Sequence, residues 1–292
     1  MSIVESFEIA AWSGPFADSV QDRAVEALET GRVVFFPQLG FAFGADEQSL
    51  LSPKISDGKA KNISLDPLTN TVKGTAAESD ERHRLQKMME RFAQSATRLV
   101  CDLLPNYGPV LERARTSYRP VEIVGRHYSP LKDDRLLHID AFPSQPMRGR
   151  RILRLFSNVD PSGQPRVWHV GGPFDEISRH LAPSLKRPDR ISAWLLGAVG
   201  ITKGRRSAYD QLMLGLHDTG KRDQRYQATG IREKISFPAG STWMCFTDQV
   251  SHAALAGQHA LEQTFHVDVD AMTEPDRSPL RVLERLTGKA LV

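Results

Sequence analysis

Cysteine is scarce in this chain. Two residues, Cys101 and Cys245, fall in an apolar helical pattern and an apolar strand pattern. That excludes a disulfide framework and a thiolate metal centre, and leaves two reduced, buried thiols as the expectation. Net charge is also small. The 38 basic and 35 acidic residues leave +3, too little to argue nucleic-acid binding from the whole chain. No long apolar run suggests a membrane span, and no internal repeat, low-complexity tract or strong amphipathic anchor is present. The first residues carry Glu5 and Glu8, with no basic stretch leading into an apolar one, so no secretory signal is read and a cytoplasmic home is expected.

The 292 residues suffice for one large β-rich domain with helical additions. Apolar side chains at Val20, Ala24, Val25, Ala27 and Leu28 predict a helix over 18–30, with Ser19 as its cap and Gly31 beyond its end. The run Val33 to Pro37 reads as a strand at an edge or near its end. A second helix is predicted over 79–104, its stripe of Leu85, Met88, Met89, Phe92, Leu99, Val100 and Leu103 serving the core, with Pro105 as its stop.

From about residue 120, short strand-like runs take over: 121–124, 136–140, 152–158, 167–170, 231–237, 242–246 and 263–269. Many short strands favour a barrel or jelly roll. Helical spacing returns over about 174–220, through Ile191, Trp194, Leu195 and Leu196 and then Tyr209, Leu212, Met213 and Leu216. It reads as an insertion between two halves of the sheet. The expected fold is therefore a mainly β, α+β double-stranded β-helix of the cupin-like kind in a single domain, 1–292. Residues 1–118 form helical and strand support, 119–272 the core, and 273–292 a C-terminal helix.

His138-Ile139-Asp140 ends one strand-like run, and alternation puts the imidazole and the carboxylate on one face. Two such ligands occupy adjacent corners of an octahedron. A distant histidine completes a triangular face and leaves three positions for a bidentate co-substrate and dioxygen, the arrangement of non-haem iron(II) oxygenases. The motif alone is weak, since His266-Val267-Asp268 repeats it. Order separates the two: the third ligand must lie downstream, and His266 is the last histidine in the chain. The distal candidate is His252, which follows a Pro-x-Gly turn at Pro238–Gly240, an apolar strand and a polar break. His259 is the fallback.

If 2-oxoglutarate chelates the iron, its far carboxylate needs a fixed cation, and the planar fork of arginine suits it. Many such enzymes place that cation about ten residues after the distal histidine, but here Leu261, Glu262 and Gln263 stand there. A basic residue on the strand after His-x-Asp is the alternative, and Arg154, flanked by apolar residues, fits it. Arg126 is the second choice. The segment from Arg126 to Arg154 holds seven basic residues against three acids, so the excess charge of the chain gathers around this candidate site.

The stretch Arg126-His127-Tyr128-Ser129-Pro130, running on through Asp133, Asp134 and His138-Ile139-Asp140 to Pro143, resembles bacterial Kdo hydroxylases. So does Phe246-Thr247-Asp248-Gln249-Val250-Ser251-His252-Ala253. The resemblance covers most of the chain. It implies an iron(II)- and 2-oxoglutarate-dependent dioxygenase, consuming O2 and kept active in vitro by ascorbate. The reaction it implies is hydroxylation of C3 of 3-deoxy-D-manno-oct-2-ulosonic acid (Kdo) in the lipopolysaccharide inner core, giving Ko. The implied partner is a Kdo-bearing lipid A precursor, with at most peripheral inner-membrane contact, no nucleic acid and no particular oligomeric state. A basic rim of Lys132, Arg148, Arg150 and Arg151 would face the sugar carboxylate and lipid A phosphates, with Arg150 and Arg151 turned to solvent or substrate.

Three other readings compete. A Jumonji-like protein hydroxylase or small-molecule oxygenase would keep the co-substrate and change the acceptor. A non-oxygenase metal-binding cupin would hold its metal with more histidines. A β-sandwich with incidental histidines would bind no stoichiometric iron.

Overall fold

A computed structural model describes residues 2–125, 128–185 and 206–292. Its centre is a mixed α/β arrangement around an eight-stranded sheet. The strands are β1 (Val4–Ser6), β2 (Val33–Phe36), β3 (Ile63–Leu65), β4 (Val72–Lys73), β5 (Glu112–Arg119), β6 (Arg151–Asn158), β9 (Thr242–Phe246) and β11 (Ala260–Val267). They run in the order β1-β2-β9-β6-β11-β5-β3-β4. A second sheet holds β7 (Arg166–Gly171) between β8 (Arg232–Phe237) and β10 (His252–Ala256).

Two helices back the large sheet. The first, α1 (Asp18–Glu29), closes on Gly31 at φ 77°, where Arg32 N–H reaches back to the Ala27 carbonyl at 2.9 Å. Ser19 lies inside this helix rather than capping it, because Ala17 holds the cap position. The second, α2 (Ser79–Leu103), stops just before Pro105 and buries the predicted stripe from Leu85 to Leu103. These faces meet Val34, Leu153, Leu155, Met244 and Phe265 in one core. β2 is not an edge strand, since β1 and β9 flank it; Pro37 follows its last residue.

Between the two sheets lies an aromatic layer. Phe237 stacks on Trp243 with ring centres 4.0 Å apart, and Trp168 meets Phe156 edge-on at 4.8 Å. This layer fixes the separation of the sheets and so the width of the site at their open end.

The polypeptide between β7 and β8 carries α3 (Phe174–Leu181), α4 (Ala208–Arg222) and α5 (Gln224–Thr229). The stretch predicted as helical through Ile191, Trp194, Leu195 and Leu196 lies outside the described residues. Near the C-terminus α6 (Pro279–Thr287) starts on Ser278, whose hydroxyl accepts from Arg281 N–H. It shares a third core with Leu137, Ile139 and Met147.

Two predicted strands differ from the structure. Residues 121–124 are not a strand; the strand before them is β5, which ends at Arg119 and whose polar start at Glu112, Arg113 and Arg115 hides the buried Tyr118. Residues 136–140 are extended but make only one bridge, His138 to His252.

Candidate metal centre

That single bridge assembles the site. His138 N–H donates to the His252 carbonyl at 3.0 Å and His252 N–H returns the bond to His138 at 2.8 Å. Asp140 N–H then donates to the Thr247 carbonyl at 2.8 Å. Alternation holds through the segment: Ile139 enters the core while His138 and Asp140 turn the other way, toward His252.

The three side chains are buried, and one ligand atom from each lies within 4.8 Å of the others. Nδ1 of His138 sits 2.7 Å from the Leu136 carbonyl, and Nδ1 of His252 sits 2.8 Å from that of Val250. A carbonyl only accepts, so each Nδ1 carries the proton and each Nε2 keeps a bare lone pair turned inward. Nε2 of His138 is 3.9 Å from Oδ1 of Asp140. Trp168 stacks on His252 at 5.1 Å and His217 meets His138 edge-on at 5.6 Å, fixing both rings.

Charge follows the same plan. Burial holds both imidazoles below their ordinary value, so they stay neutral and fit to coordinate. Burial works against ionisation of Asp140, but the Arg154 guanidinium beside it outweighs that and holds the carboxyl well below the usual carboxylate range. Two neutral imidazoles and one carboxylate gathered this closely fit a divalent first-row ion bound on one face.

Arg154, on β6, places Nη1 2.9 Å from Oδ2 of Asp140. The pair is electrostatic rather than an aligned hydrogen bond, and among the described residues Nε of Arg154 has no hydrogen-bonding partner. Glu262, on the neighbouring strand β11, lies 3.6 Å from that Nε and accepts from Arg119 at 2.7 Å. The acid that stands where many oxygenases carry a cation thus holds two arginines. Asp134, with Oδ1 4.0 Å from Nε2 of His138, binds Lys61 at 2.6 Å and lies 4.0 Å from Lys221. Arg119, Glu262, Asp134, Lys61, Lys221 and His217 were not singled out as site residues in the sequence. The one signal available was Glu262 in a position that asks for a cation.

The other sequence candidates separate. Arg126 lies outside the described residues. Arg151 is wholly buried, paired with Asp248 at 2.8 Å, bonded to Gln249 at 2.6 Å and set over the Phe246 ring at 3.8 Å. It therefore faces neither solvent nor substrate: alternation along β6 sends it inward, and Asp248 compensates its charge. Arg150 pairs with Glu112 and lines a small depression that also contains Asp140 and Phe142. Lys132 and Arg148 are exposed, and the Lys132 carbonyl accepts from Lys61 at 3.3 Å. His259 stays away from the cluster, buried against the Tyr118 hydroxyl at 3.1 Å, and His266 lies 3.3 Å from Glu112. A groove of about 910 Å³ between Gly171, Ile231 and Arg285 contains none of the three cluster residues.

No curated protein matches the chain. Among solved structures, the Kdo hydroxylase KdoO, a non-haem Fe(II) alpha-ketoglutarate-dependent dioxygenase, matches in complex with cobalt(II) at 47% identity and TM-score 0.97, over 100% of this chain and 98% of that one. The same enzyme with alpha-ketoglutarate and Fe(III) matches at 46% identity and TM-score 0.95, over 99% and 97%. With succinate and Fe(III) the values are 46% and 0.96, over 100% and 98%. The family model for 3-deoxy-D-manno-oct-2-ulosonic acid (Kdo) hydroxylase matches residues 11–290, and this chain belongs to that family.

Proposed function

We propose that the protein is an iron(II)- and 2-oxoglutarate-dependent dioxygenase that hydroxylates C3 of Kdo in the lipopolysaccharide inner core, giving Ko. His138, Asp140 and His252 hold the iron in this reading. The observation that carries it is the buried pair of imidazoles with bare Nε2 atoms beside Asp140, with Arg154 against that carboxylate. KdoO, similar along its whole length, is crystallised with the metal, the co-substrate and its product succinate.

The bound iron supplies activation of dioxygen, coupled to conversion of 2-oxoglutarate into succinate and carbon dioxide. The chain's own residues do the rest. The two carbonyl-bonded imidazoles and Asp140 set which face of the ion is open. Arg154, supported by Glu262, offers its fork to the far carboxylate of 2-oxoglutarate, and Phe142, 5.5 Å from its guanidinium carbon, covers it from water. Exposed Lys132 and Arg148, with Arg150, remain candidates for lipid A phosphates; Arg151 does not.

The two sheets joined by the aromatic layer, with the ligands at their open end, support a double-stranded β-helix core within one domain spanning 1–292. No helix among the described residues is long and apolar enough to cross a membrane. A lipid-linked sugar as substrate favours a cytoplasmic protein in peripheral contact with the inner membrane.

The test is mass spectrometry of Kdo-bearing lipid A after incubation with the protein, iron(II), ascorbate and 2-oxoglutarate under air. One added oxygen that disappears in His138→Ala is expected. Succinate formation without oxygen transfer would keep the oxygenase and discard Kdo.

A further inference from the structure

We propose that Lys61 and Lys221, gathered on Asp134 at the mouth of the centre, form the subsite for the carboxylate of the sugar substrate. The inference rests on the Kdo reading above and deepens it.

Lys61 precedes β3 and Lys221 lies in the last turn of α4, so segments distant in sequence converge on one oxygen. Oδ1 of Asp134 is 2.6 Å from the Lys61 ammonium, 4.0 Å from that of Lys221 and 4.0 Å from Nε2 of His138, the metal-facing nitrogen. Asp134 is therefore the link between the ammonium groups and the coordination site. Arg119 adds a third cation 3.7 Å from its other oxygen.

Three cations around one carboxylate exceed what holding Asp134 requires. Lys221 is almost wholly buried, yet among the described residues its ammonium makes one hydrogen bond, to the Leu131 carbonyl at 3.1 Å. An ammonium has three N–H donors, and burying one so incompletely paired is costly unless a ligand completes it. Burial pushes its pKa down, with Asp134 opposing, as expected for a cation short of partners.

The charge balance points the same way. Among the described residues linked by these contacts, Lys61, Arg119, Arg154 and Lys221 oppose Asp134, Asp140 and Glu262, one positive charge in excess. A divalent ion and the dianion 2-oxoglutarate cancel each other, so the excess survives loading. One further monoanion neutralises it, and Kdo carries one carboxylate. Tyr128, its ring centre 6.0 Å from the Lys61 ammonium, lines a small depression with Lys61, Arg119 and Asp134 and offers a flat face to the sugar.

The experiment compares wild type, Lys61→Met and Lys221→Met on Kdo-bearing lipid A and on the same lipid with its Kdo carboxylates converted to methyl esters. Calorimetry of 2-oxoglutarate binding to the zinc-loaded proteins runs alongside. Losing a charge-assisted hydrogen bond should raise KM for the natural lipid roughly tenfold to a hundredfold in each variant, with 2-oxoglutarate affinity within about twofold of wild type. Wild type should lose a comparable factor on the ester, and the variants little more, because both changes delete one interaction. Lys61→Arg and Lys221→Arg should recover most of the loss.

An unchanged KM, or losses that simply multiply on the ester, overturns the inference. So does a fall in 2-oxoglutarate affinity, which would place the lysines in the co-substrate pocket. A wild-type enzyme that turns over 2-oxoglutarate but leaves Kdo untouched removes the substrate reading and this subsite together. Turnover of Kdo with indifferent lysine variants removes the subsite alone.

Discussion

Nη1 of Arg154 rests 2.9 Å from Oδ2 of Asp140, so the cation proposed to hold the co-substrate is also the one that stabilises the carboxylate proposed as a metal ligand. The two duties make one substitution act twice. Arg154→Ala is expected to raise the apparent KM for 2-oxoglutarate at least roughly tenfold, the loss of a bidentate charged contact, and to weaken metal binding as well. Arg154→Lys keeps the charge but loses the fork and should fall between. Steady-state titration of 2-oxoglutarate at saturating lipid substrate reads the first effect, and an unchanged KM would move the anchor to Arg119.

The buried pair of Arg151 and Asp248 is a matter of stability. Removing one partner strands a charge, so Arg151→Met should cost about 3–5 kcal/mol. Asp248 belongs to the turn whose Thr247 carbonyl receives Asp140 N–H and whose Val250 carbonyl fixes His252, so the loss should loosen the metal ligands too. Replacing both, as in Arg151→Met with Asp248→Leu, should recover much of the stability. Denaturant melts of the two variants decide it, and a double variant no more stable than the single one would refute the pairing account.

How much of this was legible in the sequence depends on the kind of signal. The sequence singles out His138, Asp140 and His252, which the structure brings together, because alternation and order act locally, and it singles out Arg154 because a charge among Ile152, Leu153, Leu155 and Phe156 needs a purpose. Arg151 was misread because its partner, Asp248, lies on a turn far away in sequence; a buried ion pair leaves no local trace on either member. Glu262, Arg119, Asp134 and Lys221 come from four separate segments, and only the sheet order that seats β5 beside β11 brings the first two together. β5 itself went unread because its early residues are polar on both faces. The bridge of His138 to His252 is a single pair, so the strand-like run 136–140 is extended without joining a ladder.

Acid should unfold the metal-free protein early. Burial lowers the pKa of His138, His252, His259 and His266 below the ordinary 6.5. Below 6.5 the unfolded chain binds protons that the folded one refuses, so stability present above that value is lost as the pH falls through it. Each such group can contribute up to about 1.4 kcal/mol per pH unit. His266, whose Nε2 is buried without a partner, is the cleanest to remove, being outside the ligand set. His266→Gln should flatten the fall in melting temperature between about pH 6.5 and 5; an identical slope would mean that His266 protonates freely in the folded state.

Metal should stabilise the fold through the same ligands that it would use in catalysis. An ion that binds only the folded chain adds about 2.7 kcal/mol at a hundredfold excess over its Kd, which for a chain of this size is a rise of roughly 5 °C or more in melting temperature. Cobalt(II) is the convenient probe, because its visible absorption reports the ligand set independently of activity. His252→Ala should abolish both the spectrum and the rise, the latter read against the variant's own metal-free melting temperature, which falls with loss of the buried ring stacked on Trp168. His259→Ala should leave the cobalt spectrum intact, as its ring is tied to Tyr118 on the far side of β11. A cobalt spectrum that survives His252→Ala but is lost in His259→Ala would reverse the assignment of the distal ligand.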